Sequence, residues 1–142
     1  MINDPETYEF ELGRAIVMRE GTDVSIVACG LMVSAALEAA EALEAEGISA
    51  EVVNMHTIKP LDTETLFASA AKTGRVVTVE EHSVIGGLGE AVCAALCEHT
   101  PVRVKRVGVQ DVYGESGPAL DLLDKYGLNA EGIAFAVREV LA

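Results

Sequence analysis

One pattern limits the possible folds more than any other. Short β-branched runs, Val24-Ser25-Ile26-Val27-Ala28, Ile48 to Val53 and Arg75 to Val79, are separated by stretches whose apolar residues recur at helical spacing. Parallel strands need a crossover of a dozen or more residues, usually a helix, so the alternation predicts an α/β three-layer sandwich. Its core is a mostly parallel central sheet of about five strands with helices on both faces.

Ala15-Ile16-Val17-Met18 is a further candidate strand, joined to Val24–Ala28 by Glu20-Gly21-Thr22-Asp23, which suggests that the two run antiparallel. Helices are expected from Met32 to Glu46, Thr63 to Thr73, Leu88 to His99, Pro118 to Tyr126 and Ala130 to Leu141. Asp62 and Asn129 stand where an N-cap is needed, and Gly47, Gly74 and Gly127 where a helix stops. Arg75 to Val79 is almost unbroken in its apolar character and belongs in the middle of the sheet. Val102 to Lys105 alternates and Arg106-Val107 breaks the phase, the pattern of an edge strand with one wet face and a bulge. Residues 1–11 lack periodicity and read as a lead or interdomain linker, leaving 12–142 as one domain.

The chain's 142 residues suffice for one sizeable core. No apolar stretch approaches the roughly 20 residues of a membrane span, and the polar, acidic start is unlike a signal peptide, so a cytoplasmic protein is expected. Ten basic against 23 acidic residues give a charge of −13, which repels a phosphate backbone and excludes nucleic acid as a natural partner. The three cysteines, Cys29, Cys93 and Cys97, form no disulfide framework. Cys93, Cys97 and His99 share one predicted helix, but a zinc site needs four ligands, so Cys93 and Cys97 are expected as buried core thiols and no metal site is assigned.

In an open parallel sheet, ligands collect beyond the carboxyl ends of the strands. Cys29-Gly30-Leu31-Met32 has one glycine where a dinucleotide fingerprint needs three, and reads as a tight turn. His56, in Asn54-Met55-His56-Thr57, is expected to be a hydrogen-bonded structural residue. Glu80-Glu81-His82-Ser83-Val84-Ile85-Gly86-Gly87-Leu88-Gly89 ends a strand with carboxylates and an imidazole and opens a helix with glycines. Free amides at such a helix start suit an anion, but the adjacent carboxylates oppose one, and no nucleophile or oxyanion pattern lies beside the Glu-His pair. The same residues suit a surface that another backbone approaches closely. Glu81, His82, Ser83, Gly86, Gly87 and Gly89, with Asp111, Gly114, Ser116 and Gly117 of the last such loop, are therefore the candidate contact with another domain or subunit. A bulky residue at Gly87 is then expected to weaken assembly far more than it destabilises the domain. No catalytic, cofactor-binding or metal residue is assigned.

Gly13-Arg14-Ala15, Arg19-Glu20-Gly21, Thr57-Ile58-Lys59-Pro60-Leu61-Asp62, Glu80-Glu81-His82-Ser83 through Gly89, Tyr113-Gly114-x-Ser116-Gly117 and Lys125-Tyr126-Gly127-Leu128 resemble, in order, the C-terminal domain of transketolase. The likeness covers residues 12–142; the C-terminal domains of deoxyxylulose-phosphate synthase and of 2-oxo acid dehydrogenase β subunits are similar, and the Tyr113 loop looks more like transketolase. The resemblance implies a dimeric thiamine-diphosphate enzyme of the pentose phosphate pathway that passes a two-carbon ketol unit between sugar phosphates. It further implies that diphosphate and magnesium are held by one partner domain and the aminopyrimidine by another, on this or another chain. This domain would serve packing and assembly, binding no cofactor itself. A second reading is a free-standing regulatory domain that takes a small ligand at the sheet's carboxyl edge.

Overall fold

The protein was analysed as a computed structural model that describes residues 8–142. The strands are β1 (Ile16–Arg19), β2 (Val24–Ala28), β3 (Ala50–Asn54), β4 (Arg75–Ser83) and β5 (Arg103–Val109), and the helices α1 (Met32–Glu44), α2 (Thr63–Thr73), α3 (Leu88–His99), α4 (Ala119–Lys125) and α5 (Ala130–Leu141). They form the expected sandwich, a five-stranded sheet in the order β1-β3-β2-β4-β5. All neighbours run parallel except β1, which lies antiparallel.

The pleat sorts the core into two layers. Val24, Ile26 and Ala28 of β2 point toward α1 and α5, while Val27, Val53 of β3 and Val76 of β4 point toward α2 and α3. Helix α2 starts where Asp62 Oδ1 accepts the Thr65 amide at 3.0 Å and stops at Gly74, whose φ of 71° only glycine adopts without strain. Asn129 caps α5 in the same way through the Gly132 amide at 2.9 Å.

β1 runs antiparallel to β2, its neighbour in sequence, as expected, but the two are not paired. β1 pairs with β3, Ile16 opposite Asn54, and Gly21 packs tightly against Ala50 and Glu51 as the chain crosses past β3 into β2. Helix α1 ends at Glu44 rather than Glu46, and Glu44 reaches outward to Arg19 at 2.8 Å. Strand β4 does not stop at Val79; it continues through Glu80, Glu81 and His82 to Ser83. The irregular pairing lies on this strand and not on β5: Val79 pairs with Val107 and Ser83 with Val109, so three residues of β4 face Gly108 alone.

Candidate functional site

The carboxyl ends of β2, β3, β4 and β5 lie at one end of the molecule, and the loops that follow them form its candidate site. The centre is Glu80. The extra residues in β4 turn its side chain under the start of α3, where the carboxyl group is 1% exposed as a residue, accepting the Leu88 amide at 2.7 Å and the Gly89 amide at 2.8 Å. Gly87, the N-cap, brings no side chain to this task. A carboxylate eight and nine residues earlier in the chain thus fills the amide cradle that an outside anion would use, favoured by the helix dipole.

This arrangement explains the glycines from within the domain. A Cβ on Gly87 would lie 1.9 Å from Glu80 Oε2, and one on Gly89 would lie 2.9 Å from both Thr78 Oγ1 and the Arg106 side chain. A larger residue at Gly87 strikes the domain's own buried carboxylate before it meets any neighbour, contrary to the expectation that it would chiefly disturb assembly. Gly86 differs: its φ is 81° and nothing stands near it. Its amide donates to Glu90 Oε2 at 2.9 Å, and the Ile85 amide to Ser83 Oγ at 3.1 Å, which closes the loop.

Glu81 and His82 are exposed beside this loop. His82 Nδ1 donates to the Ser83 carbonyl at 2.8 Å, placing its proton on that nitrogen. The other contact candidates leave β5 next door. Asp111, Gly114, Ser116 and Gly117 all lie in an exposed run around Tyr113, whose side chain is 98% exposed. The run is pinned at Glu115, which accepts Lys125 Nζ at 2.7 Å on both oxygens and the Tyr126 hydroxyl at 3.3 Å. That ion pair holds the Glu115 carboxyl below its ordinary range. The two candidate loops therefore start side by side on paired strands.

The remaining sequence candidates sort differently. Cys97 is exposed and Cys93 half-buried, so the expected pair of core thiols is not formed. Burial raises the Cys93 thiol above its ordinary pKa, and burial followed by the nearby Glu80 carboxylate raises Cys29. His56 Nδ1 bonds Thr57 Oγ1 at 2.9 Å, and its Nε2 is buried without a hydrogen-bond partner among the described residues. Sequence reading missed a second polar centre. Glu51 of β3 is 1% exposed and pairs with Lys72 of α2, which also reaches Glu20 at 2.7 Å, while Ser25, Ser69 and Thr73 join hydroxyls at 2.6 and 2.7 Å beneath the same helix. A lone glutamate inside the apolar run of β3 was the available signal.

At the start of α3 the residues present do not fit a diphosphate. A diphosphate at the amides of α3 would have to displace Glu80 and lie against its charge. Among the described residues no group of three or more His, Cys, Asp or Glu side chains is placed to hold a metal ion, and no helix is long and apolar enough to cross a membrane.

Comparison with known proteins agrees with this architecture. The sequence profile described as transketolase, C-terminal domain, matches residues 13–133. A 6-deoxy-6-sulfo-D-fructose transketolase subunit from Clostridium sp. (strain MSTE9) is 53% identical over 137 residues, covering 96% of this chain and 42% of the relative. A 1-deoxy-D-xylulose-5-phosphate synthase from Heliobacterium modesticaldum is 46% identical over 138 residues, covering 96% of this chain and 21% of the relative. Among solved structures, a split gene transketolase described as an inactive beta4 tetramer superposes with a TM-score of 0.95 at 55% identity, over 99% of this chain and 46% of its own. The chain thus spans less than half the length of these relatives. From the reversed first strand to the glycine loop, sheet order, motifs and extended likeness agree, and the chain belongs to the transketolase C-terminal domain family.

Proposed function

We propose that this chain is the packing and assembly domain of a thiamine-diphosphate enzyme that transfers a two-carbon ketol unit between sugar phosphates. Diphosphate, magnesium and aminopyrimidine are bound by partner domains, on this or another chain, in a dimeric cytoplasmic enzyme. The observation that supports this most directly is Glu80. The position at which an open α/β sheet would receive a phosphate is already filled by the domain's own carboxylate. Around it, Leu31, Ile58, Ile85, Val112, Tyr113 and Leu120 expose large apolar side chains at the ends of four different strands, which suits contact more than chemistry. Glu81, His82, Ser83, Gly86 and the loop from Asp111 to Gly117 form the polar part of that contact. The relatives' names print different sugars, so the proposal extends to the ketol transfer and not to one sugar; the pentose phosphate sugars are one case of it.

Calorimetric titration of this chain with thiamine diphosphate and magnesium is expected to give no binding heat, whereas the complete enzyme binds both. Saturable binding by this chain alone would overturn the reading that the cofactor is held by partner domains.

A further inference from the structure

Two shallow depressions at the carboxyl end meet at one side chain. The first, about 290 Å3, lies between α1 and α4 and is lined by Leu31, Leu120, Leu123 and Leu128, with Glu38 and Asp124 at its margin. The second, about 310 Å3, runs from Leu31 past Ile58 to Gly86 and Gly87, with Glu81 and His82 at its margin. Leu31 lines both, so the two adjoin at this side chain and together form a groove that carries apolar side chains and carboxylates in each half. Leu31 and Leu120 are 58% and 73% exposed. No lysine or arginine lines either depression. Glu80 is committed to the amides of α3, but Glu38 and Glu81 have no hydrogen-bond or ion-pair partner among the described residues.

The geometry points to a seat for one segment of the cofactor-binding partner: a segment with two large apolar side chains flanked on both sides by lysine or arginine. This rests on the assembly reading above and adds the chemistry by which the partner is recognised. Apolar side chains entering each half of the groove remove the exposed leucines from water, and the flanking cations meet carboxylates that the domain leaves unpaired. A second copy of this chain would set Glu38 and Glu81 against like charges, so self-association of this chain that the Leu31→Ser with Leu120→Ser variant abolishes would overturn the proposal.

The test measures association of this chain with the cofactor-binding part of the enzyme, supplied as a separate chain, by sedimentation at low and high salt. Two double variants are compared, Leu31→Ser with Leu120→Ser and Glu38→Lys with Glu81→Lys, after circular dichroism has confirmed that these surface changes leave the fold intact. The apolar variant is expected to weaken association about tenfold or more at both salt concentrations. The charge reversal is expected to weaken it by about tenfold at low salt, with the difference shrinking at high salt. Wild-type association with both variants unaffected overturns the groove and leaves the assembly reading standing. A loss confined to the apolar variant overturns the basic flanks. Failure of the wild-type chain to associate at all overturns the assembly reading together with the groove.

Discussion

Gly87→Ala adds a single methyl group where the domain has no room for one. The new Cβ would sit 1.9 Å from Glu80 Oε2, 2.8 Å from Glu80 Cδ and 3.0 Å from His82 Nδ1, and Cβ atoms essentially never approach another atom within 3.0 Å. The carboxylate must move by more than an ångström, and with the residue 1% exposed it cannot simply swing into solvent. Both charged hydrogen bonds, to Leu88 at 2.7 Å and Gly89 at 2.8 Å, are then stretched or lost. At about 1.5–3 kcal/mol for each of the two bonds to a charged group, the expected destabilisation is about 3–6 kcal/mol. For a domain of this size that lowers the melting temperature by about 10–20 °C. Urea unfolding of the chain measures the first quantity and thermal unfolding the second. The same substitution in a Glu80→Ala background should cost less than about 1 kcal/mol, because the obstacle is gone and the two sites couple. A full-sized loss in both backgrounds, or a loss below about 1 kcal/mol in the parent, refutes the account of Glu80 as the group that excludes a side chain.

Lys72→Met strips the buried Glu51 of its ion-pair partner and is expected to destabilise the fold by about 3 kcal/mol, with most of that recovered on adding Glu51→Gln; a double variant no better than the single one refutes the pairing. At Asp62 burial pushes the carboxyl up, but bonds from the Thr65 amide and hydroxyl and the Ala15 amide outweigh it and hold the group below its ordinary pKa. A folded-state value below the unfolded one of about 4 adds stability above that pH and loses it as pH falls through the folded value. Asp62→Ala should therefore cost about 1–2 kcal/mol near neutrality, and urea midpoints of the two proteins should converge on acidification; a constant gap would contradict the cap.

Local rules read well where the determinant is local. Asp62, Gly74 and Asn129 mark helix ends through bonds that span three or four residues, and the bounds of α2, α3 and α5 agree with the spacing of their apolar residues. What the chain does not display is which distant segments meet. β1 and β2 are close in sequence, yet β3 lies between them, a choice made by sheet assembly and not by the turn. Glu80-Glu81-His82 reads as loop because three polar residues end an apolar run, whereas the irregular pairing with β5 keeps them in the strand and sends Glu80 inward. The candidate site follows the same division. Its loops were legible from their place after strands; that two of its glycines answer to Glu80, Thr78 and Arg106 became visible only once those side chains were placed.

The reversed direction of β1 also decides from which end the chain enters the domain. Because Ile16 pairs with Asn54, and Asn54 with Ala28, the start of β1 lies level with the carboxyl ends of β3 and β2. The Gly13 amide is held by Thr57 at 3.2 Å and the Ala15 amide by Asp62 at 2.7 Å, so the entering backbone is tethered at that end. A domain fused upstream would be released on the same side as the groove, and its docking would become an intramolecular event at an effective concentration in the millimolar range. Supplied on a separate chain, the same surface has to work at the free concentration of its partner. One antiparallel strand would then make fusion and fission of the gene a change in local concentration, with the contact surface itself unaltered.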